Sequence, residues 1–157
     1  MKNKNVREYR IQDIDEMKIR GVVFEKFHEE LSHHEDYFTW TPITELTKFK
    51  SSMITGGYLN ATYHIPDFLY METHLDKEIF FFTSGIAIMP FADMLNGVVD
   101  PDSVQIARIK PQTLLVVDAG KAHFVAVSEN KDTVQAIVVS PIQDAPRIEL
   151  PFVIRGI

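Results

Sequence analysis

The chain has 157 residues, of which 45% are hydrophobic and 11% aromatic, which is enough for one domain with a substantial core. Its net charge of -6 and the lack of a basic stripe among its 16 Lys and Arg residues argue against a general nucleic-acid binder, so small molecules are the expected partners. The absence of cysteine excludes disulfides, thiolate nucleophiles and cysteine-ligated zinc.

The N-terminus gives no sign of targeting to a membrane. The sequence MKNKNVREYR lacks the apolar segment of a signal peptide, and no apolar run in the chain approaches the roughly 18 residues of a membrane span. We therefore expect a cytoplasmic protein that makes no membrane contact.

The first 55 residues are expected to form an extension of the domain. Residues 1–8 are polar and are either a frayed end or a strand exchanged with a neighbouring molecule. The spacing of Ile11, Ile14, Met17 and Ile19 predicts a short helix that begins near Asp13, and a strand over residues 22–24 follows it. A second short helix is predicted over residues 46–53, ahead of a pair of glycines.

Three histidines, His28, His33 and His34, lie in a charged stretch of this extension. They could be metal ligands, but the stretch has no alternation and no apolar frame. We predict a solvated loop or helix face, because histidine takes a role from its surroundings.

From residue 56 onward the sequence changes character and predicts the core of the domain, over residues 56–157. Short runs rich in Val, Ile, Phe and Tyr alternate with turn formers and contain no intervening helical segment, which favours an antiparallel β-barrel or jelly roll over βαβ units. The predicted strands are residues 59–65, 69–74, 78–83, 86–89, 104–109, 114–118, 123–127, 134–139 and 150–154.

Polar residues interrupt the apolar strand sequence of residues 71–85. Glu72, His74 and Glu78 stand next to a run of three phenylalanines, and charged groups are costly to bury unless they are paired or bind a cation. In a strand, Glu72 and His74 project from the same face. A divalent metal explains the pattern, and a His74–Glu78 pair that is only a satisfied polar contact is the alternative.

The spacing of these residues resembles the first motif of the cupin superfamily, and a downstream segment resembles the second. His74, Glu78 and Gly85 read H-x3-E-x6-G, and Gly120 and His123 keep the places of the second motif's glycine and histidine. The resemblance implies a cupin-type barrel in which Glu72, His74, Glu78 and His123 hold one metal ion. Glu72 stands where the family has a histidine, and Asp118 and Val127 stand where it has proline and asparagine.

Within the cupins, the segment Met71-Glu72-Thr73-His74 is similar to the M-E-R-H segment of the ureidoglycolate lyase family, with Glu78 in the place of a glutamine. The later G-x-W-H-H-P segment of that family corresponds to residues 120–125, where the tryptophan, the second histidine and the proline are absent. This resemblance implies a lyase that cleaves ureidoglycolate to glyoxylate and urea.

Two imidazoles with one or two carboxylates suit Zn, Mn, Fe or Ni. Glu78 and Glu72 are the candidate catalytic residues. Burial among phenylalanines is expected to raise the pKa of Glu78 toward neutrality if Glu78 is not a ligand. Glu72 either binds the metal or orients a metal-bound histidine. Lys77, His64 and Arg108 are the candidates for contacting the substrate.

Two function classes follow from these expectations. The first is a metal-assisted small-molecule enzyme, and the second is a non-catalytic cupin module that binds a sugar or a small carboxylic acid. In either case we expect a two-fold homodimer, in which the apolar N-terminal and C-terminal strands cover the edges of the barrel.

Overall fold

A computed structural model describes residues 4–142 and 146–157 of the chain. Within this part, helical structure is limited to three 3-10 turns, at Ile14–Glu16, Glu29–Leu31 and Pro101–Ser103. No helix of the described residues is long and apolar enough to cross a membrane. The prediction of an all-β chain is therefore confirmed.

The strands are short, as the spacing of turn formers predicts. In chain order they are β1 Asn5–Tyr9, β2 Ile11–Asp13, β3 Val22–Lys26, β4 His33–Glu35, β5 Phe38–Trp40, β6 Thr55–Ala61, β7 Asp67–Met71, β8 Glu78–Ser84, β9 Ala87–Ala92, β10 Met94–Leu95, β11 Val98–Val99, β12 Gln105–Ile109, β13 Thr113–Val117, β14 Ala122–His123, β15 Val127–Ser128, β16 Val134–Ser140 and β17 Ile148–Gly156.

Three sheets contain most of these strands. The front sheet has the order β3-β13-β8-β16-β6, and the middle sheet has the order β14-β9-β12-β2, with β15 also paired to β9. The rear sheet has the order β1-β17-β7. Two hairpins, β4-β5 and β10-β11, stand outside these sheets.

The middle sheet is buried on both faces, which explains why β9 is buried along its whole length. Met89 and Phe91 of β9 pack in one core cluster with Phe80 and Phe82 of the front sheet. Ile88 lies on the opposite face of the strand and packs in a second cluster with Phe68, Leu150 and Ile154 of the rear sheet. A strand covered on both faces reads as a continuous apolar run in the sequence.

The N-terminal segment belongs to the sheets, which corrects the prediction of an extension packed outside the barrel. β3 pairs with β13 at one end of the front sheet, and β2 pairs with β12 in the middle sheet. β1 pairs with β17 of the same chain, so the part of residues 1–8 that the structure describes is neither frayed nor exchanged. The β1–β17 and β2–β12 pairs are parallel, whereas the other strand pairs of the described residues are antiparallel.

The helix predicted around Ile11 to Ile19 is wrong, since the segment is the strand β2 followed by one 3-10 turn. Asp13 precedes this turn, but its side chain does not cap it. The carboxylate instead accepts hydrogen bonds from Arg108 and Lys110. The tertiary ion pairs outweigh the local helical signal.

The helix predicted over residues 46–53 is also wrong, because this stretch contains neither helix nor strand. Two of its backbone amides are held by a carboxylate of another segment. Asp76 accepts hydrogen bonds from the amides of Lys50 and Ser51, and Glu25 accepts one from the amide of Thr44, just before this stretch. Amides bound in this way are not available for the hydrogen bonds of a helix.

The histidine-rich stretch forms the exposed hairpin of β4 and β5, preceded by a 3-10 turn. His28 contacts Glu30, His33 contacts Glu35, and His34 contacts a threonine hydroxyl across the hairpin. The prediction of a solvated stretch is confirmed, in a hairpin rather than in a loop or helix.

Candidate metal centre

Backbone pairing brings the two polar segments of the sequence together at one end of the barrel. Glu72 follows β7 and exchanges two hydrogen bonds with His123, at 2.8 and 3.0 Å. The carbonyl of His74 accepts a hydrogen bond of 2.8 Å from the amide of Gly120. Gly120 has a φ of 78°, a left-handed conformation that favours glycine in the turn before β14. Glu78 begins β8 and pairs with the last residue of β13, so it lies at the same end.

The structure places the side chains of all four predicted ligands in one cluster. Oε2 of Glu78 lies 2.9 Å from Nε2 of His123 and 3.2 Å from Nε2 of His74. Oε1 of Glu72 lies 3.9 Å from Nε2 of His74. One donor atom each from Glu72, His74 and His123 lies within 4.8 Å of the others. A single cation could therefore contact several of these atoms at once.

His123 is fixed in an orientation that suits a metal ligand. Its ring is buried, and Phe80 contacts it edge-on. Its Nδ1 lies 3.0 Å from the carbonyl oxygen of Lys121, to which it donates a hydrogen bond. The other nitrogen, Nε2, is hydrogen-bonded to Oε2 of Glu78 at 2.9 Å, and a metal bound at Nε2 would replace this contact.

His74 lacks a partner of this kind. Both of its ring nitrogens are buried, and neither makes a hydrogen bond of acceptable geometry to any described residue. The 3.2 Å approach of Nε2 to Glu78 is an electrostatic contact that does not meet hydrogen-bond geometry. Buried polar atoms without partners are rare and costly, and a bound cation removes that cost.

The charges in the cluster stabilise one another. Burial alone would raise the pKa of Glu78, but the contacts with His123 and His74 outweigh it and lower the pKa from 4.5 to about 2. The Glu78 carboxylate in turn raises the pKa of His74 above its ordinary value, against the effect of burial. The prediction that burial raises the pKa of Glu78 toward neutrality is wrong, because two imidazoles face the carboxylate.

The distances between donor atoms fit one small divalent ion. Ligand atoms held about 2.1 Å from one ion are about 3.0 Å apart at right angles and about 3.4 Å apart at tetrahedral angles. The separations of 2.9, 3.2 and 3.9 Å in the cluster are close to this range. Two imidazole nitrogens and two carboxylates also form a donor set that Zn, Mn, Fe or Ni accepts.

The three predicted substrate-contacting residues lie in different places. Lys77 is next to the cluster, but its ammonium lies 3.0 Å from a carboxylate oxygen of Asp118. Arg108 binds Asp13 and Glu129. Its neighbours in β12, Ala107 and Ile109, belong to the core cluster of Met89 and Phe91. The Arg108 side chain therefore lies on the other face of the strand.

His64 is exposed and interacts electrostatically with Asp67, at the start of β7. Glu72 follows the other end of that strand, about 16 Å away at about 3.3 Å per residue. The structure therefore does not bring His64 or Arg108 to the cluster.

Sequence reasoning did not single out three charged residues at this end of the barrel. Asp93 lies between Lys121 and Arg20, each at 2.8 Å, beside a cavity of about 330 Å³. Lys121 was detectable, since it stands two residues before His123 and strand residues two apart share a face. Arg20 and Asp93 follow no motif, and only the fold brings them to this position.

Comparisons with known proteins support the fold. No protein-family model matches the sequence, and no curated protein matches it. Among solved structures, the chain is similar to RmlC from Streptococcus suis, determined in complex with dTDP-D-xylose, with a TM-score of 0.53 at 11% sequence identity. The match covers 89% of this chain and 73% of the RmlC chain. RmlC is a cupin-fold protein, and the chain has the same cupin-type β-barrel fold.

Proposed function

We propose that the protein is a metal-assisted enzyme that acts on a small hydroxy acid or ureido acid, with ureidoglycolate as the leading candidate substrate. One observation carries the proposal. Both ring nitrogens of His74 are buried without a hydrogen bond to any described residue, and the side chains of three further potential ligands lie beside them. The cupin fold supports a small-molecule enzyme or binder, and the choice of substrate rests on the M-E-x-H segment, which resembles that of ureidoglycolate lyases.

The residues that would hold the metal are Glu72, His74, Glu78 and His123. A bound divalent ion would polarise an oxygen of the substrate and lower the pKa of a bound hydroxyl. The barrel supplies a site closed to solvent on the His123 side, where that side chain is 1% exposed. Electrostatic interactions are stronger in such a water-poor site.

Proton transfer is assigned to Glu72. Glu78 stays ionised because its pKa is about 2, so it cannot donate a proton near neutral pH. Glu72 has the more exposed side chain of the two, at 19% against 13%, and it lies farther from His74. In the proposed reaction Glu72 accepts the proton of the substrate hydroxyl. The carbon–nitrogen bond then breaks, its electron pair leaves with the urea nitrogen, and Glu72 returns the proton to that nitrogen.

The activity test is the release of urea and glyoxylate from ureidoglycolate. We expect equimolar products from the metal-loaded protein, loss of activity with a chelator, and recovery on adding metal. Glu72→Gln is expected to lower kcat about 100-fold or more, and Glu16→Gln, at an exposed and distant site, to leave it unchanged. Protein that holds stoichiometric metal and releases no product above background would exclude ureidoglycolate.

A non-catalytic binding module is the second candidate function. It is favoured by the filling of the barrel interior with Phe80, Phe82 and Phe91. Metal analysis separates the two candidates. Purified protein that remains metal-free after incubation with each candidate ion supports the binding module, and stoichiometric metal supports the enzyme.

We also propose that the protein is a two-fold homodimer. β1 and β17 pair within one chain, which leaves the outer face of the front sheet as the better candidate surface. Tyr58 and Ile137 are cross-strand partners on β6 and β16 and are 62% and 49% exposed. β6 is also a sheet edge, which a second copy can cover. Sedimentation should give a dimer for the wild type and a monomer for Ile137→Lys, and a monomeric wild type would contradict this assignment.

A further inference from the structure

A polar cavity of about 330 Å³ opens between the front and middle sheets at the same end of the barrel as the metal centre. On the front-sheet side, the amide of Asp118 donates to the carbonyl of Gly21, directly beyond the last β3–β13 pair. Glu78 is paired with that same last residue of β13. On the middle-sheet side, Lys121 and Asp93 stand one position beyond the first β14–β9 pair.

The Lys121 side chain is buried beside the cavity, and its ammonium contacts Asp93. Lys121 and Asp93 lie one residue outside β14 and β9, and the alternation of these paired strands, extended by one residue, puts them on the face of His123 and Phe91. Phe91 belongs to the inner core cluster, so all four side chains lie on the inner face of the middle sheet. Along the strand, Lys121 and His123 are about 7 Å apart.

The cavity wall has two cations and two carboxylates, and a lysine outside the wall pairs with one of those carboxylates. The Lys121 ammonium is 5% exposed and lies 2.8 Å from one oxygen of Asp93. The guanidinium of Arg20 lies 2.8 Å from the other oxygen of that carboxylate and is 81% exposed. One carboxylate thus serves two cations, and the remaining acid on the wall, Asp118, is already paired with Lys77.

The buried Lys121 ammonium has hydrogen-bond donors without an acceptor among the described residues. An ammonium has three donors and a guanidinium five, and within residues 4–142 and 146–157 Asp93 is the one acceptor recorded for each. The wall also contains Gly21, Ala119 and Gly120, which leave the backbone open to a ligand. The amides of Gly21 and Ala119 donate to no described residue. A buried cation with unused donors beside open amides favours an anion.

We infer that this cavity, defined by Arg20, Asp93 and Lys121, binds the carboxylate of a small-acid ligand whose other end reaches the metal centre. The inference rests on the proposed function and adds to it the subsite that selects an acid. Along the backbone Lys121 and His123 are about 7 Å apart, which suits a ligand with a carboxylate at one end and a ureido oxygen at the other. Arg20 and Lys121 replace Arg108 and His64 as the residues that recognise the substrate.

The test uses two probes, ureidoacetate and its neutral amide. Ureidoacetate has the carboxylate and ureido groups but no hydroxyl, so the proposed reaction cannot cleave it. Affinities are measured by calorimetry for the wild type, Arg20→Gln and the control Arg10→Gln, which removes the same charge at an exposed site with no recorded side-chain contact. Arg20→Gln is expected to weaken ureidoacetate binding about 10-fold or more and to leave binding of the amide unchanged. Arg10→Gln should match the wild type.

A second measurement makes the inference independent of the metal. Ureidoacetate should shift the amide resonances of Gly21 and Ala119 even in chelator-treated protein, because Arg20 and Lys121 need no metal to bind an anion. Equal loss of affinity in both arginine variants, equal binding of the acid and its amide, or unshifted amides would overturn the inference. Failure of the wild type to bind metal would overturn the proposed enzyme function and leave the amide shifts as a separate result.

Discussion

The replacement of Glu78 by Gln tests the electrostatics of the cluster most sensitively in chelator-treated protein. The fall of the Glu78 pKa from 4.5 to about 2 corresponds to about 3 kcal/mol of preference for the ionised form in the folded state. A carboxyl group whose pKa is depressed on folding stabilises the protein above its unfolded pKa and loses that effect as the pH falls toward the folded value. Gln imitates the protonated form, so the wild type should exceed Glu78→Gln by about 3 kcal/mol near pH 6 and by about 1 kcal/mol at pH 3.

The assay is urea denaturation from pH 3 to pH 7, with Glu16→Gln as the control at an exposed position. The control should follow the wild type across the whole range. A difference between wild type and Glu78→Gln that is constant with pH, or that grows as the pH falls, would refute the account of Glu78 as an ionised partner of two imidazoles.

Three further predictions concern the metal, the core and the ordered N-terminal segment. Metal affinity should rise as the pH rises through the raised pKa of His74, because the ion binds the neutral imidazole. Calorimetry in buffers of different ionisation enthalpy should detect the released proton, and an affinity independent of pH would contradict this prediction. Leu115→Ala, at a fully buried position, should lower the free energy of unfolding by about 2–5 kcal/mol, as measured by denaturant unfolding. Leu46→Ala, at a 92% exposed position, should change it by less than about 0.5 kcal/mol, and equal effects of the two variants would place Leu115 outside the core. Asp76→Ala should speed hydrogen exchange at the amide of Lys50 and leave exchange in the barrel strands unchanged. Unaltered exchange at that amide would show that the Asp76 carboxylate does not order the segment around Lys50.

The strands from residue 56 onward could be predicted because each is a short apolar run between turn formers. This local signal survives in the structure, as in β8, β12, β13 and β16. Among the N-terminal strands, β3 was predicted from the apolar run of residues 22–24. β1 and β2 were not, because their hydrogen bonds go to partners far away in the sequence: β2 pairs with residues 106–108, and the spacing of Ile11, Ile14 and Ile19 is also compatible with a helix.

The polar cluster was accessible from the sequence because three of its members fall within seven residues. Carboxylates and a histidine in an apolar strand are costly without a partner or a cation, so the sequence itself indicated a site. The fourth member, His123, required the motif spacing. The pKa of Glu78 was beyond sequence reasoning, since its direction depends on the presence of two imidazoles within 3.2 Å of one oxygen.

The residues proposed to contact the substrate were the least predictable part. Arg108 and Lys77 are cations near the motifs in the sequence, but the fold pairs both with carboxylates. Arg20 is distant in the sequence from every other residue of the site. It reaches the end of the barrel only because the segment before β3 closes the front sheet beside the turn that precedes β14.

The decisive measurement for a metal centre shared by four side chains is the metal content of the purified protein after loading and dialysis. We predict one equivalent of a divalent ion in the wild type and in the control His34→Ala, which changes an exposed histidine of the β4–β5 hairpin. His74→Ala and His123→Ala should each hold less than roughly a tenth of an equivalent. Full metal content in the last two variants, or a wild type that retains none of the four candidate ions, would contradict the account of one shared metal centre.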